Sequence, residues 1–404
     1  MADITFNLST QDKFFKVIYD KKSYAVFNTA NNLLMRIAKQ YDFKGKNRTI
    51  EAVLGFSGGV GAGTLPDTNV HQEENAVLTR KKIYARCLLD REAMLASKDQ
   101  GAFQEASARQ VKKAVESFMR NLSRQLFAFE NGMLFQGDNA TNVSGAGIVA
   151  NPYVVRGLAS TWVKSFIEKK DYVNVGAEST LLEIVDVNYT TRDVSLVGIS
   201  ATLAAAVGAP TNAKIYMQKS KDNDIQSILA ATKATAGTLY GITVGPRWQS
   251  AQKDAGGAGL TIDLMNEVIS DVEFQAGKSP DLIITSHKQV RKLKNLLGDQ
   301  LRYCTVSPRD PIFKKAGISF QAIEIMTDTG PVPLVADRMC PDSHMFFLNT
   351  EDIVMYAVEQ PKWVDEDGKV LLRSANADSF ESRYALYGEL FIHPHSQGVL
   401  YNLA

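Results

Sequence analysis

The chain has 404 residues, with 45 Lys+Arg against 44 Asp+Glu and 5 His, a formal net charge of +1, 45% hydrophobic and 22% charged residues. That is a globular composition, which excludes a disordered chain, a collagen and a disulfide scaffold. At about 150 residues per domain the length holds two or three units, each able to bury its own core, and the near-neutral balance argues against a dedicated nucleic-acid binder.

The charge is unevenly spread: residues 1–135 hold 20 Lys+Arg and 14 Asp+Glu, the remainder 25 and 30. A mildly basic N-terminal third reads first as a solvated face and second as a surface turned toward something anionic. Cys87, Cys304 and Cys340 are odd in number, far apart and without a C-x-x-C pair, which fits a reducing compartment and suggests no metal site. The start, Met1-Ala2-Asp3-Ile4-Thr5-Phe6, lacks the basic and then apolar regions of a secretion signal. The longest weakly polar run, 196–210, includes Ser200 and Thr202 and falls short of the roughly 20 apolar residues of a membrane span. The expectation is a soluble protein, made and kept in the cytoplasm, with no membrane partner.

In chain order, the first 45 residues are polar and mixed, with one amphipathic helix expected over 25–41 from the spacing of Val26, Ala30, Leu33, Leu34, Ile37 and Tyr41. A strand over 49–56 runs into a stretch with Gly58, Gly59, Gly61 and Gly63, closed by Pro66, and a second extended run covers 76–89. Two strands joined by about twenty residues make a long hairpin that buries little and needs a partner surface. Over 100–131 the period becomes helical, with Phe103, Val111, Val115, Phe118, Leu122, Leu126 and Phe129 on one stripe and Gly132 and Gly137 at the end. Thirty residues would span about 45 Å, far beyond a usual helix.

Between 167 and 217 lie four strand-like runs, 172–175, 181–187, 194–197 and 214–217, read as a small inserted β unit. A Gly-rich region follows from Gly237 to Gly259. Next come a helix over 262–275, a strand over 281–285 and a helix over 287–297 with Ser286 as N-cap. From Phe346 the signal is extended again: 346–348, 353–356, a hairpin pairing 362–364 with 370–372 across Asp367-Gly368, and a last strand over 384–392.

The residues with catalytic potential assemble no constellation. Gly55-Phe56-Ser57-Gly58-Gly59 matches the G-x-S-x-G elbow, yet the elbow needs a helix directly behind the serine, and Val60-Gly61-Ala62-Gly63-Thr64-Leu65-Pro66 cannot start one. A serine hydrolase using Ser57 is therefore the weakest reading. The same glycines lack the Lys of a phosphate-binding loop. His393-Pro394-His395 has no Cys or carboxylate at ligand spacing, Asp365-Glu366-Asp367 reads as a solvated turn, and Ser286-His287 as a helix start. No enzyme activity, metal or cofactor is expected.

The order of these parts, a basic arm, a long hairpin, a very long one-sided helix, an α+β body with an insertion and closing strands, resembles the major capsid proteins of tailed bacteriophages (Caudovirales), the fold named after phage Hong Kong 97. The residues that carry the resemblance include Lys81-Lys82-Ile83-Tyr84-Ala85 through Asp90-Arg91-Glu92-Ala93-Met94-Leu95, Leu134-Phe135-Gln136-Gly137, and Ser279-Pro280-Asp281-Leu282-Ile283-Ile284. Val335-Ala336-Asp337-Arg338-Met339 and Phe346-Phe347-Leu348-Asn349-Thr350-Glu351-Asp352 add to it. It spreads over 80–404, with the arm fitting by position.

The resemblance implies an N-terminal arm (1–46), an E-loop hairpin (47–89), a peripheral domain with the spine helix (90–140 and 346–404), an axial domain (141–166 and 219–345) and an inserted β domain (167–218). It implies self-assembly through hexamers and pentamers into an icosahedral or prolate head that matures from a procapsid in the host bacterial cytoplasm and ends as the virion shell. The implied partners are further copies of the chain, a portal protein, a separate scaffolding protein, a decoration protein, and packaged double-stranded DNA held by non-specific contact. Gly58, Gly59, Gly61, Gly63, Arg80, Lys81 and Lys82 become candidates for contact between subunits, and Lys13, Lys16, Lys112 and Lys113 for facing the DNA. An encapsulin-type compartment resembles the same architecture but is shorter and lacks the insertion. Some members cross-link through an E-loop Lys; here no Lys lies between Lys46 and Lys81.

Overall fold

The 14-residue strand Ser379–Ile392 is the axis around which the first of three large sheets is built. The computed structural model describes residues 32–55, 72–91, 100–138, 143–144, 148–176, 181–198, 214–297, 304–305, 321–327, 330–365, 372–373 and 378–404. One edge of the axial strand pairs antiparallel with Lys81–Asp90, in register from Ser379↔Asp90 to Gly388↔Lys81. Its other edge is shared by Ile353–Ala357, Lys362–Trp363 and Leu372–Arg373. Tyr384 pairs with both Ala85 and Trp363, so the two sets must flank it on opposite sides. Arg86 ties the two long strands together through a two-pronged contact with Glu381, Nε and Nη2 donating at 2.9 and 2.8 Å.

The helix Gln100–Leu126 lies on this sheet because Val111, Val115, Phe118, Met119, Leu122 and Leu126 recur every three or four residues and are all buried. Its Phe118 ring meets Tyr384 edge-on at 4.9 Å. Twenty-seven residues make it about 40 Å long. It stops before 131 because the backbone tightens at its end: Phe127 N donates to Arg124 O, and Asn131 and Gly132 adopt positive φ. Phe127 and Phe129 are buried beyond the helix.

A second, seven-stranded sheet runs in the order Met133–Gln136, Lys214–Met217, Tyr172–Val175, Leu182–Asn188, Asp193–Gly198, Tyr153–Arg156 and Val143–Ser144. The four expected strands of 167–218 are all present, but the sheet also takes in strands from 133–156. Ile215 pairs with Phe135, and Val194 with Val155. Single-edge strands left open would invite unwanted pairing, and these neighbours close both sides.

The third sheet, also of seven strands, carries Ala251–Asp254, Gly398–Tyr401, Met345–Leu348, Leu282–Thr285, Gly330–Ala336, Gln321–Thr327 and Cys304–Thr305. Helix Ile262–Ala276 packs on one face with Met265, Val268, Ile269 and Val272 buried. It starts at Thr261, whose Oγ1 accepts from Leu264 N, and ends on Gly277 at φ 69°. Helix His287–Leu297 begins as expected at Ser286, whose Oγ accepts from Gln289 N at 3.5 Å. Met345–Leu348 and Gly398–Tyr401, both inside the segment expected to be peripheral, pair in this body sheet.

Three expectations are corrected. The helix over 25–41 fails at its C-terminal end: among the described residues it covers only Asn32–Arg36, and Ala38–Gln40 is a strand parallel to Val354–Tyr356. Lys362–Trp363 and Leu372–Arg373 do not pair with each other, because both are recruited by the long axial strand; the Asp367-Gly368 turn lies outside the described residues. The second hairpin strand divides at Arg80 into Gln72–Thr79, which pairs with Asn47–Gly55, and Lys81–Asp90, which leaves for the axial strand. The hairpin base is also less exposed than expected, with Ala52, Ala76 and Leu78 buried and Val77 N donating to Tyr240 O at 2.8 Å.

Candidate assembly interface

Of the expected contact residues, Gly58, Gly59, Gly61 and Gly63 lie outside the described residues, as do Ser57, Lys13 and Lys16. Arg80, at the break in the hairpin strand, holds its guanidinium 5.8 Å from the centre of the Phe43 ring. Lys81 is engaged within its own chain, its Nζ donating to Asp222 O at 2.5 Å. Lys82 is exposed, opposite Tyr387 in the axial strand. Lys112 and Lys113 sit on the solvent face of the long helix, where Lys112 pairs with Glu116 one turn on at 3.8 Å. Lys81 and Lys82 are consecutive in a strand and so point to opposite faces of the sheet, and Lys112 and Lys113 are neighbours on the exposed side of the helix.

A junction held by side chains from several elements was not signalled by any motif. The segment 220–227 leaves the second sheet and enters the body, and on the way it fastens three elements. Arg124 of the long helix donates from Nη2 to Asp224 Oδ2 at 2.7 Å and to Ser220 Oγ at 3.1 Å. Lys81 holds Asp222 O, and Gln226 N donates to Glu389 Oε1 of the axial strand at 2.6 Å. Ser227 caps the short helix Ile228–Thr232 and donates to Ala128 O at 2.6 Å. Glu389 also accepts from Leu390 N, and its burial pushes its pKa up to about 7. Beside it, Tyr240 OH donates to Leu390 O and accepts from Ile392 N.

This junction opens into a cleft of about 880 Å³ lined among others by Lys81, Lys214, Asp222, Asp224 and Glu389. The charges are mixed, and the acidic groups nearest the long helix are already spent on structural partners. Among the described residues no group of three His, Cys, Asp or Glu is placed to hold a metal ion. His393 packs its ring on Trp248 at 5.2 Å. Cys87 and Cys340 are buried thiols outside any disulfide, and burial raises the pKa of both, which works against a nucleophilic role. Among the described residues no helix is long and apolar enough to cross a membrane.

The arrangement is a scaffold of surfaces: a hairpin whose base is packed against the body, a long helix with Lys112, Lys113 and Glu116 on its exposed side, and a body sheet carrying helices on one face. Comparison with known proteins agrees. The family model described as SU10 major capsid protein matches residues 198–368. The fold is shared with the capsid asymmetric unit of cyanophage A-1(L), at 15% identity and a TM-score of 0.53, covering 92% of each chain. A procapsid protein of satellite phage P4 aligns at 10% identity and TM-score 0.40, over 95% of this chain and 91% of that one. The capsid of an empty GTA particle aligns at 8% identity and TM-score 0.48, over 93% and 91%. A search of curated proteins gave no match. The chain therefore has the Hong Kong 97-type capsid fold, and the resemblance to tailed-phage major capsid proteins is borne out.

Proposed function

We propose that this chain is the major capsid protein of a tailed bacteriophage, a structural subunit whose copies close into an icosahedral or prolate head around double-stranded DNA. The observation that carries it is the coincidence of the capsid fold along the chain with the SU10 major capsid protein match over 198–368. Its work is assembly: the hairpin of Asn47–Gly55 and Gln72–Thr79 covers a neighbour, and repeated contacts of that kind generate a closed shell. No catalytic role is assigned. In this reading the sheet around Ser379–Ile392 is peripheral, the sheet around Leu282–Thr285 axial, and the Leu182–Asn188 sheet the outward unit, an assignment that the three separate sheets support. Arg80 and Lys82 border the hairpin contact, and Lys112 and Lys113 face the DNA through phosphate charge alone.

The partners in this reading are further copies, a portal protein, a separate scaffolding protein and a decoration protein, with assembly in the host cytoplasm and the virion as destination. The test is sedimentation of the protein co-expressed with a scaffold, followed by nuclease treatment and extraction of the heavy fraction. Fast-sedimenting particles holding nuclease-protected DNA from a packaging infection support the head. Particles that enclose protein cargo and no nucleic acid point to a compartment instead, and slow-sedimenting oligomers contradict a shell.

A further inference from the structure

We propose that an acidic helix, Ile262–Ala276, and a basic helix, His287–Leu297, are the two halves of a head-to-tail contact between copies of this chain. The inference rests on the shell reading above and gives one of its contacts its residues. Both helices pack on the same face of the body sheet, since Met265, Val268, Ile269 and Val272 share a core with Leu293, Ile283, Leu334 and Phe347. The first lies over Ala251–Asp254 and Gly398–Tyr401, at one edge of that sheet. The second lies in the crossover from Leu282–Thr285 to its parallel neighbour Gly330–Ala336. They occupy different stations across one layer.

Their outward faces are complementary. Asp263, Glu267 and Asp271 recur at four-residue spacing, about 6 Å apart along the axis, and the row ends on Phe274, which is 92% exposed. The other helix turns out Arg291 and Lys294 beside Lys288 and ends near Leu296, 53% exposed. Glu267 is taken by Lys253 of the same chain. Asp263 and Asp271 form no ion pair within 4 Å among the described residues, although both add to the negative field on Lys253, and Lys288 and Arg291 form none either. Desolvation, and then the charges of Lys288 and Arg291, lower the pKa of Lys292 on the same helix, with Asp342 opposing them.

A second copy of this chain satisfies both faces at once. In a heterologous ring every acidic helix meets the basic helix of the next subunit, so no charged row is left over. Nucleic acid would answer only the basic helix and would leave Phe274 and the carboxylates of Asp263 and Asp271 unmatched. The apolar ends give the contact what charges alone do not supply, since a ring as exposed as Phe274 gains most by burial in an interface.

The test uses the full chain under conditions where wild type assembles, read by sedimentation and electron microscopy. Asp263→Lys with Asp271→Lys, and separately Lys288→Glu with Arg291→Glu, should each reduce the assembled fraction about tenfold or more. All four changes in one chain exchange the two signs and should restore assembly. Because these side chains are exposed or partly exposed, the circular dichroism spectrum should match wild type and the melting temperature should move by a few degrees at most, Asp263→Lys costing a little at the helix N-terminus. Either two-residue variant assembling like wild type overturns the contact while leaving the shell intact. So does a defect confined to the basic-helix variant together with lost nucleic-acid content. A wild type that forms no particles overturns the shell reading and this contact with it.

Discussion

Arg124 and Asp224, a hundred positions apart, form an ion pair of 2.7 Å with side chains only 3% and 8% exposed. It locks the end of the long helix to the segment that leaves the second sheet, so two of the three large layers share one electrostatic fastening. Removing one partner strands the other charge in the interior. Arg124→Met should therefore cost about 3–5 kcal/mol, and Arg124→Met with Asp224→Leu should recover most of it. Urea denaturation of the three proteins separates these outcomes: equal losses in the single and double variants would show that the charge pairing is unimportant.

Two glycines constrain the same framework. Gly132 has φ +81°, and a Cβ there would stand 2.6 Å from Asp224 Oδ2. Gly132→Ala is expected to lose about 1–2 kcal/mol from the left-handed backbone, with a further loss as Asp224 is pushed from Arg124. In the axial strand, a Cβ on Gly388 would stand 2.5 Å from the Tyr356 carbonyl oxygen, a backbone atom that cannot swing aside. Gly388→Ala should lower stability by about 1–3 kcal/mol. The melting temperature of each variant checks both figures.

Stability should respond to pH through two buried groups of opposite sense. Glu389 has its pKa raised from 4.5 to about 7 by burial. The folded state then holds the proton more tightly than the unfolded one, so its contribution is complete below pH 4.5 and is lost as pH rises to about 7, a change of about 3 kcal/mol. Glu389→Gln should match wild type near pH 4.5 and exceed it at pH 8. His344 runs the other way: burial lowers it from 6.5 to about 3, among the Phe129, Phe346 and Tyr401 rings. Its contribution is present above pH 6.5 and fades as pH falls toward 3. Denaturation midpoints of Glu389→Gln and His344→Gln across pH 3–8 resolve the two slopes, and parallel curves for wild type and Glu389→Gln would contradict the assignment.

No covalent cross-linking through the hairpin is expected, because no Lys lies between Lys46 and Lys81 and Lys81 is itself bound to Asp222 O. Boiled particles should run as a monomer on SDS gels. A ladder of multiples would refute this.

Much of the fold was legible because its elements advertise themselves locally. The stripe Val111, Val115, Phe118, Leu122 and Leu126 declares one buried helix face, and Ser286 announces the helix after it. What escaped was decided by distant partners. Trp363 and Leu372 looked like two arms of one hairpin, yet Tyr384 and Glu381 of the axial strand offered both a longer, buried edge. Ala38–Gln40 fits a helical stripe in sequence, but pairing beside Val354–Tyr356 gives it a strand. At the candidate interface, Lys112 and Lys113 were readable as a surface pair, whereas the roles of Asp222, Asp224 and Glu389 depend on contacts a hundred or more residues away. The helices over 262–275 and 287–297 were readable as helices, but their opposite charges became a pair only through their common placement on one sheet face.

Copies of this chain are expected to build a closed shell. Negative-stain electron microscopy of the full chain, expressed alone and together with its scaffold, tests it most directly. Closed particles of uniform size, tens of nanometres across, are the predicted result, and small discrete oligomers in both preparations would contradict it.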